Sequence, residues 1–189
     1  MENLINDLIK RTHTNLNQAE ELNKLPTKVL QWRAYNDSWS SLECLEHLNR
    51  YGRFYIPEIK MRMQNAPTAK PGQTFKTGLV GNYFAKSMLP KEKLNKMKTF
   101  SNMNPINSKL EKGVIEEFIH QQRQLLQILD SCRQIDLNKT KTAISITKLI
   151  KLKLGDTLRV VIYHNQRHLV QAHKVLKEFE VHQNSTPTV

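Results

Sequence analysis

In the stretch Tyr163-His164-Asn165-Gln166-Arg167-His168-Leu169-Val170-Gln171, two histidines stand four residues apart. On a helix this interval places both imidazoles on one face, one turn above the other. That is metal-ligand spacing, because each neutral imidazole offers one ring-nitrogen lone pair to a cation. His47 is the candidate third ligand. Three imidazoles with a vacant position suit Zn or another borderline divalent cation, the vacancy holding water that is activated as a nucleophile or displaced by a substrate thiol or oxygen. Other chemistries lack their residues. The chain has no phosphate-cradling glycine loop, no Gly-x-Ser-x-Gly, and no paired carboxylates of the glycosidase or di-iron kind. Cys44 and Cys132 are isolated, in no Cys-x-x-Cys arrangement, and are expected to be reduced thiols.

These histidines need helices to hold them, and apolar periodicity supplies four. Leu4, Ile5, Leu8, Ile9, Leu16, Ala19 and Leu22 recur at helical spacing over residues 3–24, and Pro26 stops the pattern. His13, among the poor helix formers at the middle of this segment, reads as exposed. Residues 25–39 read as a connection. Ser40 followed three residues later by Glu43 is a capping-box pattern, which starts a second helix from Ser41 to about Gln64. Its inward face would hold Cys44, His47, Leu48, Tyr51, Phe54, Tyr55 and Met61, with Pro57 bending it. A lone histidine on such a face is usually a satisfied core residue, so His47 gains its meaning only from the later pair.

A third helix is predicted over Leu110–Cys132, with Val114, Phe118, Leu125, Ile128, Leu129 and Cys132 on one side and His120 off the stripe. Residues 134–154 alternate Thr, Ile and Lys and suit an extended connection. Asp156 is the expected cap of a fourth helix running to about Glu180, followed by a polar, frayed tail. Between the second and third helices, residues 65–108 are punctuated by proline and glycine, with room for one short helix at Leu79–Met88. So long a connection reads as a crossover between helices that are not antiparallel neighbours, and Thr74–Ala85 could also cover a site mouth.

Counted from the two proposed caps, His47 lies about seven residues into its helix, and His164 and His168 about eight and twelve into theirs. Similar depth suggests that the second and fourth helices run parallel, with the three imidazoles converging at one end of a bundle. Glu43, one turn before His47, and Gln171, three residues after His168, are candidates to take the outer ring nitrogens. Each has a plainer alternative, Glu43 as the capping-box acid and Gln171 as a surface residue. Tyr51 and Arg167 are candidate substrate contacts, although Arg167 belongs to a different helical face from His168. Cys44 reads as a packing residue rather than a nucleophile, since no basic neighbour is evident.

Composition bounds these readings. A chain of 189 residues, 39% hydrophobic and 24% charged, with 6 Gly and 7 Pro, fits one helix-rich globular domain. No apolar run approaches membrane-spanning length, and the polar, acidic start Met1-Glu2-Asn3-Leu4-Ile5-Asn6-Asp7 does not look like a signal peptide, so a cytoplasmic location is expected. The formal charge of +12, from 29 Lys and Arg against 17 Asp and Glu, invites a nucleic-acid or anionic-membrane partner. The distribution argues against nucleic acid. Lys91, Lys93, Lys96, Lys98, Lys139, Lys141, Lys148, Lys151 and Lys153 are scattered through connecting segments with no recognition helix or interleaved aromatics, so they read as a solvated basic surface.

Trp39-Ser40-Ser41-Leu42-Glu43-Cys44-Leu45-Glu46-His47-Leu48, followed more than a hundred residues later by the His164–Gln171 stretch, resembles the DinB-like superfamily, which includes the bacillithiol transferases. The resemblance covers most of the chain. It implies an all-α four-helix bundle with a long crossed connection over residues 1–180, leaving 181–189 as a tail. It further implies a divalent metal, Zn or Ni among others, on His47, His164 and His168, and in many cases a homodimer. Some members are S-transferases that join a low-molecular-weight thiol to an electrophilic substrate, and many have no known activity. The family name does not imply DNA binding.

Overall fold

The structure, a computed structural model, describes residues 1–90, 98–145 and 147–185. Lys91, Lys93, Lys96, Ile146, the side chain of Lys148 and residues 186–189 of the expected tail lie outside the described residues. Six α-helices and one hairpin make up the described chain: α1 Glu2–Lys24, α2 Thr27–Gln31, α3 Ser41–Met63, α4 Leu79–Met88, α5 Gly113–Ser131, β1 Lys141–Ile144, β2 Thr147–Lys153 and α6 Leu154–Ser185. The fold is all-α, as its periodicity predicts. Two elements differ from expectation. The connection after α1 folds into the one-and-a-half turns of α2, which buries Leu30, and the extended segment after α5 closes on itself as the antiparallel β1–β2 hairpin.

The four long helices form the bundle. In it α1 and α3 each pack against both α5 and α6. The core has two apolar layers. One gathers Ile5 and Leu8 of α1, Ile56 and Ile59 of α3, Leu125 and Leu129 of α5, and Leu154 and Leu158 of α6. The other gathers Leu16 and Ala19, Leu42 and Leu45, Ile115 and Phe118, and Leu169 and Ala172 from the same helices. Chain direction follows from this order. Helices α1 and α6 run from the first layer to the second, whereas α3 and α5 run back from the second to the first.

The 65–108 connection is therefore a crossover joining two parallel helices, in agreement with its length. The same order overturns the expected parallel run of the two histidine-bearing helices: α3 and α6 are antiparallel. The Ser41 hydroxyl donates to the Ala172 carbonyl, while His47 faces His168 and Tyr51 faces His164, so contacts ascend one helix as they descend the other. Helix α6 reconciles this with the histidines' depth because it continues to Ser185, well past its contact with the start of α3. The expectation of a frayed tail from Glu180 is corrected accordingly.

Between the apolar layers every bundle helix turns a polar side chain inward. Thr12 and Asn15 of α1, Asn49 of α3, Gln121 and Gln122 of α5, and Asn165 of α6 are all buried there beside His47, His164 and His168. Such groups are tolerated only with partners. The Asn49 amide donates to the Val114 carbonyl at 2.8 Å, Gln121 to the Asn49 carbonyl at 3.2 Å, and Asn165 to Gln122 Oε1 at 3.3 Å.

Local chemistry sets the element ends. Both bonds of the capping box are present, Glu43 N–H to the Ser40 hydroxyl and Ser40 N–H to the Glu43 carboxylate, and α3 continues through Pro57. Met61, predicted to face inward, is 49% exposed. Asp156 does not cap α6, which has already begun at Leu154. Its buried carboxylate instead accepts from the Thr77 hydroxyl and the Gly78 N–H, pinning the start of α4 against α6, and pairs with Arg159 at 3.1 Å. The hairpin is pinned by α3, where Glu58 Oε1 accepts from Ala143 N–H at 2.8 Å and the Tyr55 hydroxyl from Ser145 N–H at 3.3 Å. No described helix is long and apolar enough to cross a membrane.

Gly81 of α4 lies directly on Asp156: a Cβ there would come within 2.5 Å of the aspartate Cβ and Cγ. In an open helix Gly→Ala gains about 1 kcal/mol, but overpacking a closed contact costs about 1–3 kcal/mol. Gly81→Ala is therefore expected to lower the urea midpoint of unfolding, the opposite of its effect on an exposed helix.

Candidate metal centre

His47 enters from α3, His164 and His168 from consecutive turns of α6, and their potential ligand atoms all lie within 4.8 Å of one another. None of the three is more than 9% exposed. Two nitrogens held by one ion at about 2.0–2.1 Å and a tetrahedral angle stand about 3.3 Å apart. His47 Nε2 and His164 Nε2 are 3.2 Å apart, so the spacing of this pair fits a single shared cation.

Tautomers decide whether lone pairs face that point. His47 Nδ1 lies 2.7 Å from the Met103 carbonyl oxygen, which can only accept, so Nδ1 carries the proton and Nε2 presents its lone pair. His168 Nδ1 lies 2.9 Å from Gln171 Oε1, with the same consequence for its Nε2. The Trp39 ring packs on His47 at 4.7 Å and on His168 at 5.7 Å, and Tyr51 packs edge-on to His47 and His164 at 5.0 and 4.8 Å. These contacts fix the ring planes.

Burial keeps the imidazoles neutral. It lowers the His47 pKa from the ordinary 6.5 to about 4, the Met103 carbonyl opposing this and the Arg50 charge adding to it. Burial likewise holds His164 well below its ordinary value, reinforced by repulsion from His168 and His47, and does the same to His168 beside His47. Neutral imidazoles are the ligand form, so a cation need displace no proton from them.

Of the two candidates for the outer nitrogens, Gln171 reaches His168 and Glu43 does not reach His47. The Glu43 oxygens are taken by Ser40 N–H, by the Arg33 guanidinium at 2.6 Å and by Asn107 N–H at 2.7 Å. The group found on His47 is the Met103 carbonyl. A backbone acceptor leaves no mark in side-chain identity, which is why sequence reasoning missed it. Trp39 also went unassigned, although an aromatic next to the capping box could have signalled it.

A cavity of about 950 Å³ opens beside the histidines, lined among others by Trp39, Tyr51, Tyr83, Phe84, Ile144 and Val161. Tyr83 and Phe84 belong to the Thr74–Ala85 segment expected near the site mouth. Arg167, expected on another helical face, is buried in the cavity wall. Burial pushes the Tyr51 phenol up to about 12, Tyr55 adding to the effect, so it stays protonated. Cys44 is fully buried, and burial with the Glu43 charge raises its thiol far above the ordinary value, which removes it as a nucleophile. His13, His120 and His182 are exposed and take no part.

The bundle and its buried histidine cluster fit a metal-binding, enzyme-like module of the all-α class. A family model of the DinB superfamily matches residues 8–172, and the chain belongs to that superfamily. No curated protein matches the chain and no solved structure does.

The lowered histidine pKa values fix the sign of a pH effect on the metal-free protein. As pH falls from 7 to 5 the unfolded chain takes up protons near 6.5, whereas folded His47 stays neutral until about 4. Folding stability therefore falls with pH across this window, by about 2 kcal/mol at pH 5 for His47. Urea unfolding at the two pH values is expected to register this loss, and a His47→Asn variant is expected to lose about 2 kcal/mol less over the same interval.

Proposed function

We propose that this chain is a metal-dependent enzyme of the DinB type, in which His47, His164 and His168 hold a divalent cation, Zn or Ni, and the reaction joins a low-molecular-weight thiol, or water, to an electrophilic substrate. The observation that carries the reading is the convergence of ring nitrogens beside the cavity, with the outer nitrogens of His47 and His168 already engaged by Met103 O and Gln171 Oε1. When bound, such a cation supplies Lewis acidity and lowers the pKa of the thiol or water it meets. The chain's own residues do the rest. The three imidazoles bind, Trp39 and Tyr51 hold the ring planes, and the aromatic and aliphatic wall receives the electrophile while limiting water. No protein nucleophile is needed, consistent with the sealed environment of Cys44.

A metal-binding module without turnover shares the site but predicts no product. The scattered basic surface supports a nucleic-acid or anionic-membrane partner less well than the histidine cluster supports a cation.

Elemental analysis of untagged protein reconstituted with Zn, Ni or Mn tests the reading. Wild type is expected to retain about one equivalent of transition metal and His164→Ala to lose it. Absence of metal from wild type with all three ions defeats the proposal. With metal established, conjugation of an electrophilic dye to several small thiols separates an enzyme, which accelerates at least one pairing, from a binding module, which accelerates none.

A further inference from the structure

Resting on that reading of the histidines, we infer that Arg50 is a positioning residue for the metal site, acting through the backbone strap whose Met103 carbonyl holds His47. The strap is a short 3₁₀ turn, Ser101–Met103, continuing to Asn107. It passes over α3, and its own turn bonds engage the Phe100 and Ser101 carbonyls, which accept from Met103 N–H and Asn104 N–H. The Asn102 and Asn104 carbonyls are instead held by the side chain one turn beyond His47. Arg50 Nη1 donates to the Asn102 carbonyl at 3.3 Å and to the Asn104 carbonyl at 3.0 Å, gripping the strap on both sides of Met103. Arg50 Nε donates to Glu46 Oε1 at 3.0 Å, which locks the guanidinium to its own helix.

The far end of the strap is tied separately. Asn104 Oδ1 accepts from the Trp39 indole at 3.0 Å and from Ile106 N–H at 3.2 Å, and Asn107, in the left-handed region at φ 63°, gives its N–H to Glu43. Asparagine tolerates that conformation better than most side chains. Glu43 thus serves the site at one remove, by anchoring the strap rather than by touching His47.

An arginine suits this task because its planar fork offers several fixed donors at once, which a lysine ammonium on a flexible stem cannot match. Its charge alone would do harm. Arg50 disfavours positive charge on His47, and a divalent cation would feel the same repulsion. Positioning and electrostatics therefore predict opposite signs on removal of the side chain. If charge dominates, Arg50→Gln tightens metal binding; if the strap dominates, binding weakens. Removal leaves no orphaned carboxylate, since Glu46 keeps Arg53 at 3.0 Å.

The test has two readouts on full-length wild type, Arg50→Gln and Arg50→Lys. The first is Zn affinity by competition with a chromogenic chelator. Loss of a group that orients a ligating histidine weakens binding about 10- to 100-fold, and one step further out we expect about 10-fold for both variants. The second is the His47 tautomer in metal-free protein, read by long-range proton–nitrogen NMR. Wild type is expected to give the Nδ1–H form and the variants a mixture. Unchanged or tighter Zn binding with an unchanged tautomer in Arg50→Gln overturns the inference, and wild-type behaviour of Arg50→Lys overturns the requirement for the fork. If wild type binds no metal at all, the proposed function fails, while the NMR readout still decides whether Arg50 sets the His47 ring.

Discussion

Three imidazoles between two apolar layers can be kept only as neutral groups with polar partners, and much of the structure follows from that constraint. Desolvation penalises their charged form, so the proton of each ring must be carried by one nitrogen and given to an acceptor. The Met103 carbonyl and the Gln171 amide oxygen meet this need for His47 and His168. With those two outer nitrogens engaged, the Nε2 lone pairs of His47 and His168 face inward, and His47 Nε2 lies 3.2 Å from His164 Nε2. A cluster of that kind is a poor way to stabilise a core and a suitable way to hold a cation.

The fold accommodates the cluster through its chain order. Because the crossover returns the chain to start α5 parallel to α3, α6 is left to pack beside both α1 and α3, and it runs antiparallel to the helix that carries His47. The belt of buried asparagine, glutamine and threonine at the same level gives every bundle helix a polar position there, so the histidine layer is not an isolated defect. Asparagine and glutamine amides can donate and accept together, which lets neighbouring helices bond to one another across the belt.

The crossover has a second duty. Its first half supplies α4, pinned by Asp156, which brings Tyr83 and Phe84 to the cavity wall; its last part supplies the strap over His47. A segment without long secondary structure thus builds one wall of the site and sets the ring that faces it. Loops of this length in compact domains commonly carry function.

What depends on local chemistry and period can be read from the residues alone. The four long helices, the short helix at Leu79–Met88 and the capping box at Ser40 and Glu43 were legible because 3.6-residue periodicity and cap hydrogen bonds involve residues a turn apart. The pairing of His164 with His168 was legible for the same reason. The convergence of His47 on that pair rested on counting depth along two helices assumed parallel; tertiary packing brought the three together on antiparallel helices, since direction in a bundle depends on how the connections close and not on any helix's own residues. Asp156 shows the limit most clearly: read locally it caps α6, but α6 begins before it at Leu154, and packing gives its carboxylate to Thr77 and Gly78 at the start of α4. Only the tertiary structure could assign the Met103 carbonyl to His47, because every residue but proline offers the same backbone groups and their placement is decided by the fold around them.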